Sequence, residues 1–156
     1  MYISITGGTK KQKHLVKEVA QWAADEVLGK RLANVIDIDF EIKKKLDADG
    51  WCEWLDDNLR PREFKIQVRA EQSMSDMVVT ICHEMVHVRQ MARSELKEIY
   101  RGGHCQVWKG KKLPIDTKYE DQPWEKEAYK MQTPLAKKCV TETGVISVLS
   151  NQENKD

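Results

Sequence analysis

Long apolar runs are missing from this chain of 156 residues. No stretch approaches the roughly 20 residues that cross a bilayer. The N-terminal MYISITGGTKKQKH has no apolar core of signal-peptide length, so a cytoplasmic protein without a membrane partner is expected. An excess of one charge is missing too: 26 basic and 25 acidic side chains leave +1. No global field draws such a chain onto nucleic acid, although a local patch stays possible. Cysteine is sparse and scattered, at Cys52, Cys82, Cys105 and Cys139, with no Cys-x-x-Cys pair. Reduced thiols are therefore expected rather than a disulfide scaffold. Internal repeats and linkers are absent as well. What remains, 40% apolar and 33% charged, is the composition of a soluble globular protein. One domain over residues 1–148 is expected, with a polar, frayed tail over 149–156.

Local patterns divide the chain into helix and strand. Thr9 and Gln12 form a capping-box pair ahead of a helix to Leu28, and Gly29 suits its C-terminal end. His14 falls among lysines of that helix and reads as solvated. In NVIDIDFEIK, Ile36, Ile38, Phe40 and Ile42 alternate with acids, the mark of a strand with one buried face. The DADG at Asp47–Gly50 reads as a turn, since the later acids of a calcium loop are missing. WCEWL and EFKIQVR then follow as two more strands, giving a helix and an antiparallel meander. A second helix is expected from Ser73, with Asp76 in its first turn, to about Leu96. Its apolar positions run around most of its surface, which makes it central. The stretch from Tyr100 to Pro114 reads as irregular or as a short hairpin. DQPWEKEAYKMQ opens a third helix at Pro123, which Pro134 ends or restarts.

Two of the four histidines stand in TICHEMVHVRQ, on the central helix. Residues four apart share a helix face, so His83 and His87 can point at one ion. Glu84 is turned by about 100° from His83 and reaches the side of that ion. Two imidazoles and a carboxylate able to take a proton from metal-bound water are what zinc hydrolysis requires. Burying two histidines among Ile81, Cys82, Met85 and Val86 would be costly unless something satisfied them. A third protein ligand is needed, and Glu125, Glu127 and His104 are the candidates. Glu125 in the first turn after Pro123 is favoured as an anion by the helix N-terminus. Glu125 and Glu127 diverge on a helix, so only one of them can face the metal.

HExxH on a central helix, after a helix and a small sheet, resembles the zincin metallopeptidases. The E-x-E-A pattern of the following helix resembles their glutamate-ligand branch, the gluzincins. HEMVHVRQ with DQPWEKEAY is also similar to small phage-encoded SprT-like peptidases. The resemblance spans the motif helix to about Met131. It implies an α+β, zincin-like single domain: an N-terminal helix and a small, mostly antiparallel sheet packed on the HExxH helix, then a C-terminal helical segment. It implies one Zn²⁺ per chain, with Glu84 as general base and His83, His87 and Glu125 as ligands. Glu125 takes that place because Ala128 stands three positions on. Tyr129 stands where many members carry Asp or Asn. His104 follows a glycine and resembles the third histidine of the SprT proteins; it is otherwise an oxyanion donor, a role for which Tyr100, Tyr119 and Tyr129 compete. A phage-encoded protein of this kind would act in the host cytoplasm.

The substrate implied is a protein or peptide, held in a cleft between the meander and the third helix. WCEWLDD is the expected edge strand, with Trp51 and Trp54 offering an aromatic surface on one face. Lys109, Lys111, Lys112 and Lys118 near Trp108 could meet phosphate, but a charge run of that size reads as a solvated face. The expected function is zinc-dependent peptide hydrolysis. The alternatives are a zincin-fold binding module without turnover, a DNA-associated SprT-like protease, and a hydrolase of another amide.

Overall fold

The computed structural model describes residues 1–100 and 103–153. It is a mixed α+β domain in which one layer of helices covers one face of a sheet. Strand β1 (Tyr2–Gly7) leads through helix α1 (Lys10–Leu28) and a short helix α2 (Lys30–Ala33) to β2 (Asp37–Lys43). Then come β3 (Gly50–Trp54), β4 (Glu63–Arg69) and helix α3 (Met74–Ala92). A second sheet holds β5 (Leu96–Ile99), β6 (Cys105–Trp108) and β7 (Lys111–Pro114). A 3-10 turn at Tyr119–Asp121 precedes α4 (Pro123–Thr143) and α5 (Val145–Glu153).

The first sheet is not the expected antiparallel meander. Its order is β1-β2-β4-β3, with β1, β2 and β4 parallel and β3 alone antiparallel, against β4. Alternation in NVIDIDFEIK reports a single buried face, and that holds: Ile38, Phe40 and Ile42 are buried and pair in register with Phe64, Ile66 and Val68. It does not report strand direction. Parallel sheets are usually covered on both faces and lose the alternation. Here the second face is charged, with Lys65 3.3 Å from Glu41. Strand direction comes instead from α1, which carries the chain back so that β2 runs alongside β1. Strand β1 itself pairs Ile3 with Ile38 and Ile5 with Phe40, and was not anticipated.

Helix α1 starts as expected, with Thr9 accepting from the Gln12 amide at 3.1 Å and the Gln12 side chain accepting from Thr9 N at 3.0 Å. His14 is exposed. Helix α3 is buried on almost every side and packs against α1, α4 and β3. It stops at Ala92, short of the expected Leu96. Ser94 takes a left-handed φ of 56°, turning the chain so that Leu96 enters β5 opposite Trp108. The Tyr100–Pro114 region does contain a hairpin, β6–β7. Its turn residues Lys109 and Gly110 have φ 47° and 85°, the left-handed pair that matches strand twist.

Helix α4 runs straight through Pro134. Pro134 and the carbonyl partner it deprives, Lys130, both face solvent, where water replaces the lost bond. Leu135, Ala136 and Cys139 meanwhile stay packed. Nor does the ordered fold end at Val148: α5 continues to Glu153, and Leu149 is fully buried in the core. Among the described residues no helix is long and apolar enough to cross a membrane.

Candidate metal centre

Three side chains converge where α3 meets the first turn of α4. The Nε2 atoms of His83 and His87 are 3.2 Å apart, with the rings at 81° to each other. Glu125 completes the triangle, with Oε2 3.1 Å from His83 Nε2 and Oε1 3.0 Å from His87 Nε2. All three residues lie deep in the cleft, each side chain at most 14% exposed. Among the described residues these are the one group of three such ligands that could hold an ion.

The proton positions follow from Gln90. Its amide nitrogen donates to the Trp124 carbonyl at 3.0 Å and to Glu127 Oε1 at 3.1 Å, both of which can only accept. The Gln90 oxygen must then be the atom 2.7 Å from His87 Nδ1, and that ring nitrogen carries a proton. Neutral His87 therefore presents a lone pair at Nε2. His83 is held the same way, with Nδ1 2.9 Å from Gln132 Oε1. Two imidazole lone pairs and a carboxylate thus face one point, an arrangement that repels unless a cation or a proton lies between them. The spacing suits a metal. Two ligands about 2.0–2.1 Å from zinc at tetrahedral angles sit roughly 3.3 Å apart, close to the separations found here.

Burial and mutual contact set the charges of this group. Burial opposes ionisation of Glu125, but where a proton stands in for the cation at Nε2, hydrogen bonds from His83 and His87, with that from Tyr119, outweigh it and hold its carboxyl far below the usual carboxylate range. Burial also works against a charged His87, yet contact with Glu125 raises its pKa overall. Glu84 lies beside this triangle rather than in it. It is 5% exposed, and burial pushes its carboxyl up to about 7. It lines the cleft on both sides of the histidines. Strand β3 reaches this carboxylate because Gly50 has no side chain: a Cβ there would meet Thr80 Cγ2 at 2.7 Å and Glu84 Oε1 at 2.8 Å.

The other candidate ligands lie elsewhere. His104 is 40% exposed, stacks on Tyr100 at 4.4 Å and has Nε2 3.3 Å from Glu98 Oε2, away from the pair. Glu127 diverges from Glu125 as helix geometry requires. It takes hydrogen bonds from Gln90 and, at 3.1 Å, from Lys109. Tyr129 packs its ring 4.7 Å from His83, and its hydroxyl lies 3.0 Å from that of Tyr119. It is Tyr119 that donates to Glu125, at 2.9 Å. Lys109 is committed to Glu127, Glu95 and the face of Trp108, which leaves it little for phosphate. Cys82 is buried in the core, away from the cleft.

Strand β3 is an edge, as expected of WCEWLDD. Its tryptophans do not share a face. Trp51 and Trp54 are three apart and leave opposite faces of the strand; Trp51 is exposed, Trp54 is partly buried, and both border the larger cavity. Sequence reading missed both glutamines that orient the histidines. The signals were there: Gln90 is a lone amide inside an apolar helix, and Gln132 lies two turns beyond Glu125 on the same face of α4. No protein-family model, curated protein or solved structure matches the chain.

Proposed function

We propose that this chain is a zinc-dependent metallopeptidase of the zincin type, hydrolysing peptide bonds with Glu84 as general base. The convergence of His83, His87 and Glu125, with both imidazoles turned to present Nε2, is the observation that supports this reading most. Zinc bound there would polarise a carbonyl and bring the pKa of its water to about 7.

The chain's own residues supply the rest. Gln90 and Gln132 fix the ring tautomers and orientations. Glu84 has a pKa raised to about 7 by burial, so near neutral pH it can take a proton from water and return one to the departing amine. The antiparallel edge strand β3 leaves backbone groups unpaired on its outer side, where an extended peptide can add as a further strand.

Zinc analysis of purified variants tests the ligand set. His83→Ala and Glu125→Ala should lose most of the metal, and His104→Ala should keep it; the reverse for the last two would reject the assignment. Glu84→Gln should retain zinc and lose peptide cleavage by at least a hundredfold. A variant still cleaving at the wild-type rate would exclude the mechanism.

A further inference from the structure

The cleft follows a single line set by β3 and α3, and its two ends differ in chemistry. At the Gly50 end it runs beside the helix residues that precede His83. There a cavity of about 320 Å³ is walled mainly by polar side chains, among them Asp49, Arg69, Gln72 and Thr80, and also by Val79 and Tyr129. Arg69 pairs with Asp49, Thr80 donates to Gln72 at 3.0 Å, and Arg69 Nε is buried without a partner. At the Trp54 end the cleft runs beside the residues that follow His87. There a cavity of about 600 Å³ has an apolar wall of Trp54, Met91, Leu96 and Trp124 and also takes in the polar side chains of Glu98 and Gln106. Met91, Leu96 and Trp124 are at most 7% exposed, so this wall is packed and rigid. Both cavities also have Gly50, His83 and Glu84 in their walls, so the reacting groups sit between them.

From this asymmetry we propose that the site selects peptides by polarity across the scissile bond. It takes a large apolar side chain on the Trp54–Met91–Leu96 side and a polar or small one on the Arg69–Thr80 side. The proposal rests on the peptidase reading for its geometry. A peptide added along β3 places alternate side chains about 6.6 Å apart on one face, so neighbours on that face fall into different halves of the cleft. An apolar side chain in the larger half leaves water for a wall that offers it contacts. The same side chain in the smaller half would strip water from a charged pair and two amides without replacing their bonds. Trp54 and Leu96 are the residues that set the preference.

Peptide binding to zinc-loaded Glu84→Gln protein tests this without requiring turnover. The probes are capped nonapeptides of alanine and serine, alone or with one central Phe or one central Asp, measured by titration calorimetry. Burying one Phe corresponds to roughly 10–100-fold in affinity. The Phe peptide should bind at least tenfold tighter than the parent, and the Asp peptide no tighter than the parent. The advantage of Phe should fall below threefold in Trp54→Gln and Leu96→Lys and persist in Thr80→Val. Trp54→Gln, on an edge strand, decides the matter if Leu96→Lys does not fold. Equal affinity for all three peptides overturns the proposal, as does a Phe advantage that survives Trp54→Gln. A parallel cleavage assay on wild type separates the two ideas. Preference without cleavage supports the selectivity and sinks the peptidase, whereas cleavage without preference does the opposite.

Discussion

Gln90 ties His87 to the start of α4, with its amide oxygen 2.7 Å from His87 Nδ1 and its amide nitrogen 3.0 Å from the Trp124 carbonyl. The same nitrogen donates to Glu127, which Lys109 holds from the turn of the β6–β7 hairpin at 3.1 Å. A chain of polar contacts thus runs from the second sheet to a candidate metal ligand, and Glu125, one residue beyond Trp124, is set by the same anchor.

Replacing Gln90 should therefore cost metal rather than fold alone. Gln90→Leu, close in volume, leaves His87 free to rotate or change tautomer and leaves the Trp124 carbonyl unpaired. Zinc affinity, measured by competition with a chromophoric chelator, should fall by about 10–100-fold. Gln90→Glu should recover part of the loss, since a carboxylate still accepts from Nδ1. Unchanged zinc affinity in Gln90→Leu would show that the amide does not govern the site.

Glu84 gives the metal-free protein a specific pH dependence. Its folded pKa of about 7 stands above the ordinary 4.5, so the fold binds this proton more tightly than the unfolded chain does. The favourable contribution is complete below about pH 4.5 and is lost as pH rises through about 7. In chelator-treated protein Glu84→Gln removes this loss. The stability advantage of the variant over wild type should widen by about 2–3 kcal/mol between pH 5 and pH 8, read from urea unfolding. An advantage that stays flat across that range would mean Glu84 titrates like an exposed carboxyl.

Gly50 is the point where β3 meets Glu84, the proposed general base. Gly50→Ala inserts a Cβ within 3 Å of both Thr80 and Glu84, which must move or push the strand away. We expect a destabilisation of about 1–3 kcal/mol and at least a tenfold loss of peptide cleavage. Zinc content should stay near wild type, because the atoms nearest this Cβ belong to Thr80 and Glu84 and not to the proposed ligands. Loss of zinc together with activity would place the strain at the metal instead.

The tail offers a test of the fold's true boundary. Truncation after Val148 deletes Leu149, a fully buried side chain of α5. It should lower stability by about 2–4 kcal/mol in chemical denaturation, where loss of a frayed tail would change nothing.

What could be read from the residues alone was local. The capping box of α1, the one-sided strands, and the central helix with His83 and His87 on one face all follow from contacts within a few positions, which periodicity and caps report directly. Even so, the end of α3 was misplaced, because a left-handed serine at position 94 leaves no trace in hydrophobic spacing. Pro134 was misjudged for a related reason: its cost depends on whether Lys130 faces water, and only packing decides that.

Everything that joins distant segments was decided by tertiary structure. Alternation in β2 and β4 specified which face is buried, but β2 lies parallel to β1 because α1 crosses between them, and parallel to β4 because β3 takes the outside position. Sequence favoured Glu125 for the third position beside His83 and His87 but left His104 and Glu127 as alternatives. The antiparallel packing of α4 on α3 brought Glu125 within 3.1 Å, sent Glu127 to Lys109 and left His104 beside Tyr100. A helix face is set by a repeat of 3.6 residues, whereas the meeting of side chains 42 positions apart is set by which surfaces bury each other best.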